Sequence, residues 1–545
     1  MVESSSGVKQ LLKSCTKPAI AAFFVWFFLN VSTLQGMFFK DASLFTIVFV
    51  KAMHLIFLFL LMYLIFSIVR KSKTDKRYKD LMIIAGIYFL VLMILLILVW
   101  PGAWAWDDLG VIYGAQFYNF TPWQHFLSGL FQVLSLQTLP FASGVIIMQI
   151  FLASIMVGYI VSFLGHAVAK GYKKNPRWAR IIIFVPFFFL PVLFYVLTGY
   201  RMAIYQYLEI LVFVMIMAKW LVKEKITYQW LILLGCLTVL VGAWRTEGLL
   251  IVVFVPIMLI CLKNSFFTKK RLAVFFVATL GAVLLVGKIN TVMIGNDNYK
   301  IGAIIYPLLV NVREGGEINE EEKEKIGKVI DLECMEENTD LTEELIYHNC
   351  MKSDYSEEEY SAFFKEAIAI IVKHPKRTII AIWDMFWKTS SGAYEEGGNP
   401  YARTTAVTAA NIFTDGTPEK ELWDKIDSRK KMPINNELRT GTINFLAGTP
   451  DFKAAPYYSF FWNHFIPIIL AIIVAIVAIV RKKWMMLVAE LAILGRVVAI
   501  ALTAMAPYFM YYMPVYVSSY VLFAFMVVDL YYSSKKGVSL RKGVV

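Results

Sequence analysis

Apolar runs close to twenty residues long recur from end to end of this chain, and nothing else about it constrains the fold as tightly. A helix rising about 1.5 Å per residue needs about twenty such residues to cross roughly 30 Å of hydrocarbon. The runs are 19–39, 44–69, 81–100, 143–165, 181–198, 202–222, 229–244, 248–262, 272–294, 457–480, 484–505 and 507–531. They predict an all-α polytopic membrane protein of about twelve transmembrane helices. The first run is followed by no small-residue cleavage site and reads as an anchor rather than a signal peptide.

Charge supplies the orientation. The formal net charge is +13, yet its distribution is that of a membrane protein and argues against a nucleic-acid partner. With the N-terminus inside, every basic cluster falls on one side: Lys9 to Lys17, Arg70–Lys79, Lys170–Arg180, Lys219–Lys225, Lys263–Arg271, Arg481–Lys483 and Lys535–Lys542. The positive-inside rule makes that side cytosolic and predicts both termini inside.

The segment 295–456 has a different character. It carries 29 of the 40 acidic residues but 19 of the 53 basic ones, so it is net negative. This predicts three parts: a transmembrane module over 1–294 with an external loop at 101–142, an extracytoplasmic domain over 295–456, and a transmembrane module over 457–545. Residues 317–388 read as amphipathic helices, and the Gly-, Thr-, Asn- and Pro-rich 391–456 as mostly loop. Cys334 and Cys350 both fall in this domain, as a disulfide or as two free thiols.

Two features bear on function. Trp100-Pro-Gly-Ala-Trp-Ala-Trp-Asp107-Asp108 sets adjacent carboxylates among tryptophans where the third span leaves the bilayer. Carboxylates are costly near hydrocarbon, so the pair invites a functional role, catalytic or as oxygen ligands to Mg²⁺ or Mn²⁺. The second feature is a set of charges at outer-leaflet depth. Residues 229–262 cross twice with too few residues for two full spans, leaving Arg245 roughly 8 Å below the outer boundary. The same count puts Glu209 about 13 Å and Arg496 about 10 Å below it, with Lys288 near the boundary. These charges predict an outward-opening polar cavity beneath Asp107 and Asp108. The bland alternatives are a local Arg245–Glu247 pair, a structural Glu490–Arg496 pair, and packing or snorkelling for Lys51 and His54. Residues 122–140 read as an interfacial helix on the outer leaflet, with His125 either solvated or functional.

An acidic first external loop, interfacial helices, many spans and a late external domain together resemble the GT-C-type glycosyltransferases. Closer still is a bacterial family of uncharacterised polytopic membrane proteins grouped with them. The similar stretches are Pro101-Gly-x-x-x-x-Asp107, Pro122-x-x-His125, Tyr306-Pro-Leu-Leu-Val-Asn-Val-Arg313, His374-Pro375 and Pro507-Tyr-x-x-Tyr-x-x-Pro514. The chain departs from that family at Thr121, where histidine is common, and in lacking glutamines at 305–310 and an arginine beside Tyr508. The resemblance implies transfer of a sugar from a polyprenyl-phosphate donor to an extracytoplasmic glycan or lipid-linked acceptor, on the outer face of a bacterial plasma membrane. It implies Asp107 as general base, with Asp108 the fallback. Arg245, Arg496 and Lys288 would hold the donor phosphate, because guanidinium and ammonium groups neutralise a departing phosphate. Arg201, Glu209, Glu247, His125, Tyr508 and Tyr511 would support them. A transporter or flippase of lipid-linked saccharides, or a non-catalytic envelope-assembly protein, would share the spans and buried charges.

Overall fold

The structure is a computed structural model that describes residues 2–31, 42–120, 125–294, 301–313, 318–337, 346–347, 349–389, 412–426, 432–447 and 460–534. Every apolar run is helical where described. The helices are α1 (Val2–Val31), α2 (Leu44–Ser72), α3 (Lys76–Leu98), α4 (Trp106–Ala115), α5 (Phe126–Thr138) and α6 (Ala142–Tyr172). Then come α7 (Arg177–Phe184), α8 (Leu190–Val196), α9 (Met202–Val222), α10 (Tyr228–Trp244), α11 (Leu249–Cys261) and α12 (Lys269–Ile294). The acidic segment supplies α13 (Gly302–Arg313), α14 (Glu320–Gly327), α15 (Leu332–Glu337), α16 (Glu357–Lys373), α17 (Pro375–Lys388), α18 (Pro418–Lys425) and α19 (Asn436–Ala447). The chain closes with α20 (Phe465–Val480), α21 (Trp484–Thr503) and α22 (Met513–Ser534).

Among the described residues, eight helices are long and apolar enough to cross a membrane, or nine if the bent α7–α8 pair is one span. That pair turns by 66° where Pro186 and Pro191 remove backbone donors from the helical ladder. α10, α11 and α20 are the other expected spans, and all three are shorter. The hairpin 229–262 is therefore short, as its residue count requires. α6, α9 and α22 form the buried centre, with α1, α2 and α12 at the rim.

The ends of the spans sort by charge. At one end Arg77 on α3 bridges to Glu224 after α9, Asp80 is held by His166 and Arg180, and Lys483 pairs with Asp529. Four turns at that end or in its basic clusters close on lysines in the left-handed region, at Lys173, Lys223, Lys263 and Lys482. A left-handed residue with a Cβ costs about 1–2 kcal/mol, and glycine would be easier there. Lysine at all four turns puts charge ahead of conformational ease.

The acidic segment divides. α13 to α16 enclose their own apolar core around Ile305, Leu308, Ile326 and Phe363, stapled by a Cys334–Cys350 disulfide. The later part, expected to be mostly loop, contains two helices, α18 and α19, within its described residues. Thr417 caps α18, and Trp423, Ile443 and Leu446 join the main core of the transmembrane helices. A few large apolar residues anchor those helices although the composition around them is that of a loop. α5 also differs from expectation. Its Gln132, Val133, Ser135, Leu136 and Gln137 are buried against α4 and α6, so it is a packed helix rather than one lying free on lipid. His54 is buried and bonded to Thr138 on α5 at 3.1 Å, a packing residue as the bland reading holds.

Candidate functional site

Beyond α3 the chain turns back at Gly102, whose φ of 125° suits glycine alone. A Cβ there would also lie 2.1 Å from Ile146. The turn brings Asp107 and Asp108 into the first turn of α4, where free N–H groups and the helix dipole favour negative charge. Neighbouring helical residues point about 100° apart, so the two carboxyls diverge. Asp108 is fully buried, and its Oδ2 accepts a hydrogen bond from the Gly199 N–H at 2.7 Å. Burial lifts its carboxyl well above the ordinary range, the Asp107 charge adds to this, and the Gly199 bond opposes it. Asp108 braces the start of α4 through that bond. Asp107 is only partly buried and lies within electrostatic reach of Arg201.

Those charges are organised by the tip between α8 and α9. Gln149 Nε2 donates to the Thr198 carbonyl at 2.7 Å, and Gln132 Nε2 to the Gly199 carbonyl at 3.1 Å. Arg201, next in line, is within electrostatic reach of Arg245, Glu247, Tyr511 and Asp107. Its carbonyl accepts from the Trp244 indole at 3.2 Å, tying the tip to α10. Among the described residues Arg201 forms no ion pair within 4 Å, whereas Arg245 and Arg496 each have one. Arg245 bridges to Glu247 and lies over the Tyr511 ring at 5.1 Å, and the Tyr508 ring sits tilted beside Tyr511 at 5.8 Å. A layer below, Arg496 is fully buried, donates to Tyr205 Oη at 2.8 Å and lies 2.5 Å from Glu209. Glu247 feels both Arg245 and Arg496, so the layers are coupled.

The structure thus gathers Asp107, Arg201, Arg245, Glu247, Tyr511, Arg496 and Glu209 into one region. Arg496 pairs with Glu209 and not with Glu490, because Glu209 projects from the facing helix α9. Lys288 is exposed on α12, outside this cluster. His125 caps α5, its Nδ1 accepting from the Leu127 N–H at 3.3 Å, and it is not a solvated side chain. Burial, with Arg201 adding, lowers its pKa to about 4, so the ring stays neutral near pH 7. Residues 121–124, which include Pro122, lie outside the described residues.

A cleft between α5 and the tip is lined by Gln132, Gln149, Tyr200, Arg201, Ile204 and Trp244. It is too narrow to admit a water-sized sphere in this packing. The Asp107–Asp108 pair does not suit a divalent cation, since Asp108 is sealed inside and committed to Gly199. Among the described residues no group of three or more His, Cys, Asp or Glu side chains could hold a metal ion.

Two positions are missing from the sequence reading. Arg439 on α19 is fully buried, donates to the Gly102 carbonyl at 2.9 Å and stacks over Phe413 at 4.9 Å. With Trp423 lying 6.2 Å from Trp104, it clamps the acidic segment onto the Asp107 loop. No local signal marks Arg439, which lies 337 residues from its partner. Gly199 could have been found, as the glycine of a short turn between two apolar runs. A Cβ there would lie 2.3 Å from the Trp104 ring and 2.7 Å from Asp108 Cβ. Gly199→Ala is expected to lower stability by about 1–3 kcal/mol through overpacking. Thermal unfolding of the purified protein checks this, and an unchanged midpoint would show that the loop packs less tightly than described.

Compared with family models, with curated proteins and with solved structures, the chain matches none.

Proposed function

We propose that this chain is an integral membrane glycosyltransferase of GT-C type. It moves a sugar from a polyprenyl-phosphate donor to an acceptor glycan or lipid-linked saccharide on the outer face of a bacterial plasma membrane. The observation that carries the proposal is a partly buried Asp107 within electrostatic reach of Arg201, with Arg245 and Tyr511 alongside. Among the described residues that guanidinium makes no ion pair within 4 Å, whereas Arg245 is bridged to Glu247.

In the proposed reaction the acceptor hydroxyl attacks the anomeric carbon and Asp107 takes its proton. The new C–O bond forms as the bond from that carbon to the phosphate oxygen breaks, and the configuration inverts. The electron pair leaves with the polyprenyl phosphate. Arg201, with Arg245 beside it, stabilises the departing anion by charge-assisted hydrogen bonds in a poorly solvated site. Arg496 acts from below, by holding Glu209 and Tyr205 in place. Asp108 and Gly199 fix the angle at which α4 presents Asp107. The outer-leaflet depth counted for Arg245 along its short hairpin supports this reading, since a lipid phosphate would sit at that depth with its isoprenoid tail in hydrocarbon.

The bent α7–α8 pair and the short α10–α11 hairpin favour a second reading, because broken helices also mark transporter sites. An assay of purified protein with a synthetic polyprenyl-phosphate sugar, reading release of polyprenyl phosphate, separates the two. Release supports transfer. Movement of intact lipid-linked saccharide across vesicles without release supports transport, and neither result points to an assembly role.

Sidedness has its own test. Cysteines placed at Gly110 and Phe445 are expected to react with an impermeant maleimide from outside, and one at Lys76 only after permeabilisation. External labelling at 76 would overturn the orientation, and an outward-facing catalytic loop with it.

A further inference from the structure

Helices α16 and α17 carry an apolar face that the rest of the described chain leaves uncovered. Ile379, Ile380, Trp383 and Trp387 on α17 are all exposed, and their spacing of three and four residues aligns them in one stripe. Ile368 and Val372 on α16 continue it across the turn at His374. The opposite side of α17 is occupied, with Ala381 and Met385 buried and Phe386 packed on Tyr512 at 5.8 Å. The stripe is therefore an outer surface of a well-seated helix.

Its position identifies what covers it. Trp387 lies 5.1 Å from Phe465, the first residue of α20. α20 in turn exposes Ile469, Ile472, Ile473 and Ile476, the side of a short apolar helix that must border acyl chains if it spans. The stripe meets α20 at that Trp387–Phe465 contact, so a soluble partner covering it would have to meet lipid as well. Lys373 and Lys376, both exposed, and Arg377 flank the beginning of the helix, at the level of anionic headgroups. Asp384 points away and bonds to Tyr306 on α13. Paired tryptophans with basic residues at one end suit a helix lying at the membrane–water boundary.

We infer that α17 lies in the outer leaflet, its Ile–Trp stripe among the acyl chains and Lys376 and Arg377 at the phosphates. It anchors the acidic segment to the bilayer beside the Asp107 region and holds the α13–α16 core against the membrane. This does not depend on the reaction proposed above.

Nitroxides at Ile379→Cys and Trp383→Cys test it. The label goes on full-length protein lacking Cys15, Cys236 and Cys261, in vesicles of phosphatidylcholine and phosphatidylglycerol. Collisions with oxygen are expected to exceed those with a water-soluble nickel chelate severalfold at both sites, with the reverse at Glu358→Cys on the far end of α16. Nickel-dominated collisions at 379 and 383 would overturn the inference. So would exclusion of both reagents, the result expected if a second copy covers the stripe. A measurement without cysteines serves as a second check. Brominated lipids should quench the unaltered protein more than the Trp383→Phe/Trp387→Phe protein, and equal quenching would also overturn it.

Discussion

Asp107→Asn is expected to lower sugar transfer by at least about a hundredfold, while the protein still folds and still binds donor. General-base assistance is typically worth about 10²–10⁴, and asparagine keeps the size of the side chain but accepts no proton. Asp108→Asn should behave differently, because Asp108 is buried, its carboxyl is pushed well above the ordinary range by that burial, and one oxygen accepts the Gly199 N–H. Asparagine can accept the same bond with its carbonyl and keeps the size of the side chain, so transfer should fall by less than about tenfold, about 1.4 kcal/mol. The measurement is turnover of a polyprenyl-phosphate sugar, with thermal unfolding run alongside. Full activity in Asp107→Asn would remove the base from the mechanism. If Asp108→Asn alone were dead and folded, the catalytic role would move one residue along, against the burial seen here.

The second large effect lies beneath the site. Arg496→Met leaves Glu209 buried, with Glu490 close by and no cation against it. Removing one partner of a buried pair costs about 3–5 kcal/mol, whereas replacing both by neutral groups can be nearly neutral. Arg496→Met is therefore expected to destabilise the purified protein strongly, and Arg496→Met/Glu209→Gln to regain most of the loss. Unfolding in a detergent series on the wild type, both single variants and the double variant measures the coupling. Additive single effects would show that the two charges do not interact. If the double variant regains stability but not activity, Arg496 serves the reaction as well as the fold.

How far the site was legible follows from what each residue needs. The outer-leaflet depth of Arg245, Glu209 and Arg496 came from counting along helices, and the structure does gather the three. Lys288 satisfied the same count yet faces away, because depth says nothing of rotation about the helix axis. Arg201 was read as a supporting residue, and it sits within electrostatic reach of Arg245, Glu247 and Asp107, since two glutamines hold its turn beside α5. Residues 391–456 read as mostly loop, yet the described stretches 412–426 and 432–447 carry helices, because composition averages over the few residues, Trp423 and Ile443 among them, that seat them.

By itself the sequence determined the polytopic helical class, the gathering of basic turns at one end, and a hairpin too short for two full spans. Each of these depends on a property that accumulates along the chain, such as hydropathy, charge or rise per residue. Only the tertiary structure decided that Asp108 is buried against Gly199 while Asp107 comes within electrostatic reach of Arg201, that Arg496 pairs across to α9, and that Arg439 clamps the Gly102 turn. Those facts depend on how each helix is rotated and on contacts hundreds of residues apart. Both are settled by the packing of the whole molecule, because a side chain's partner is chosen by what faces it in space.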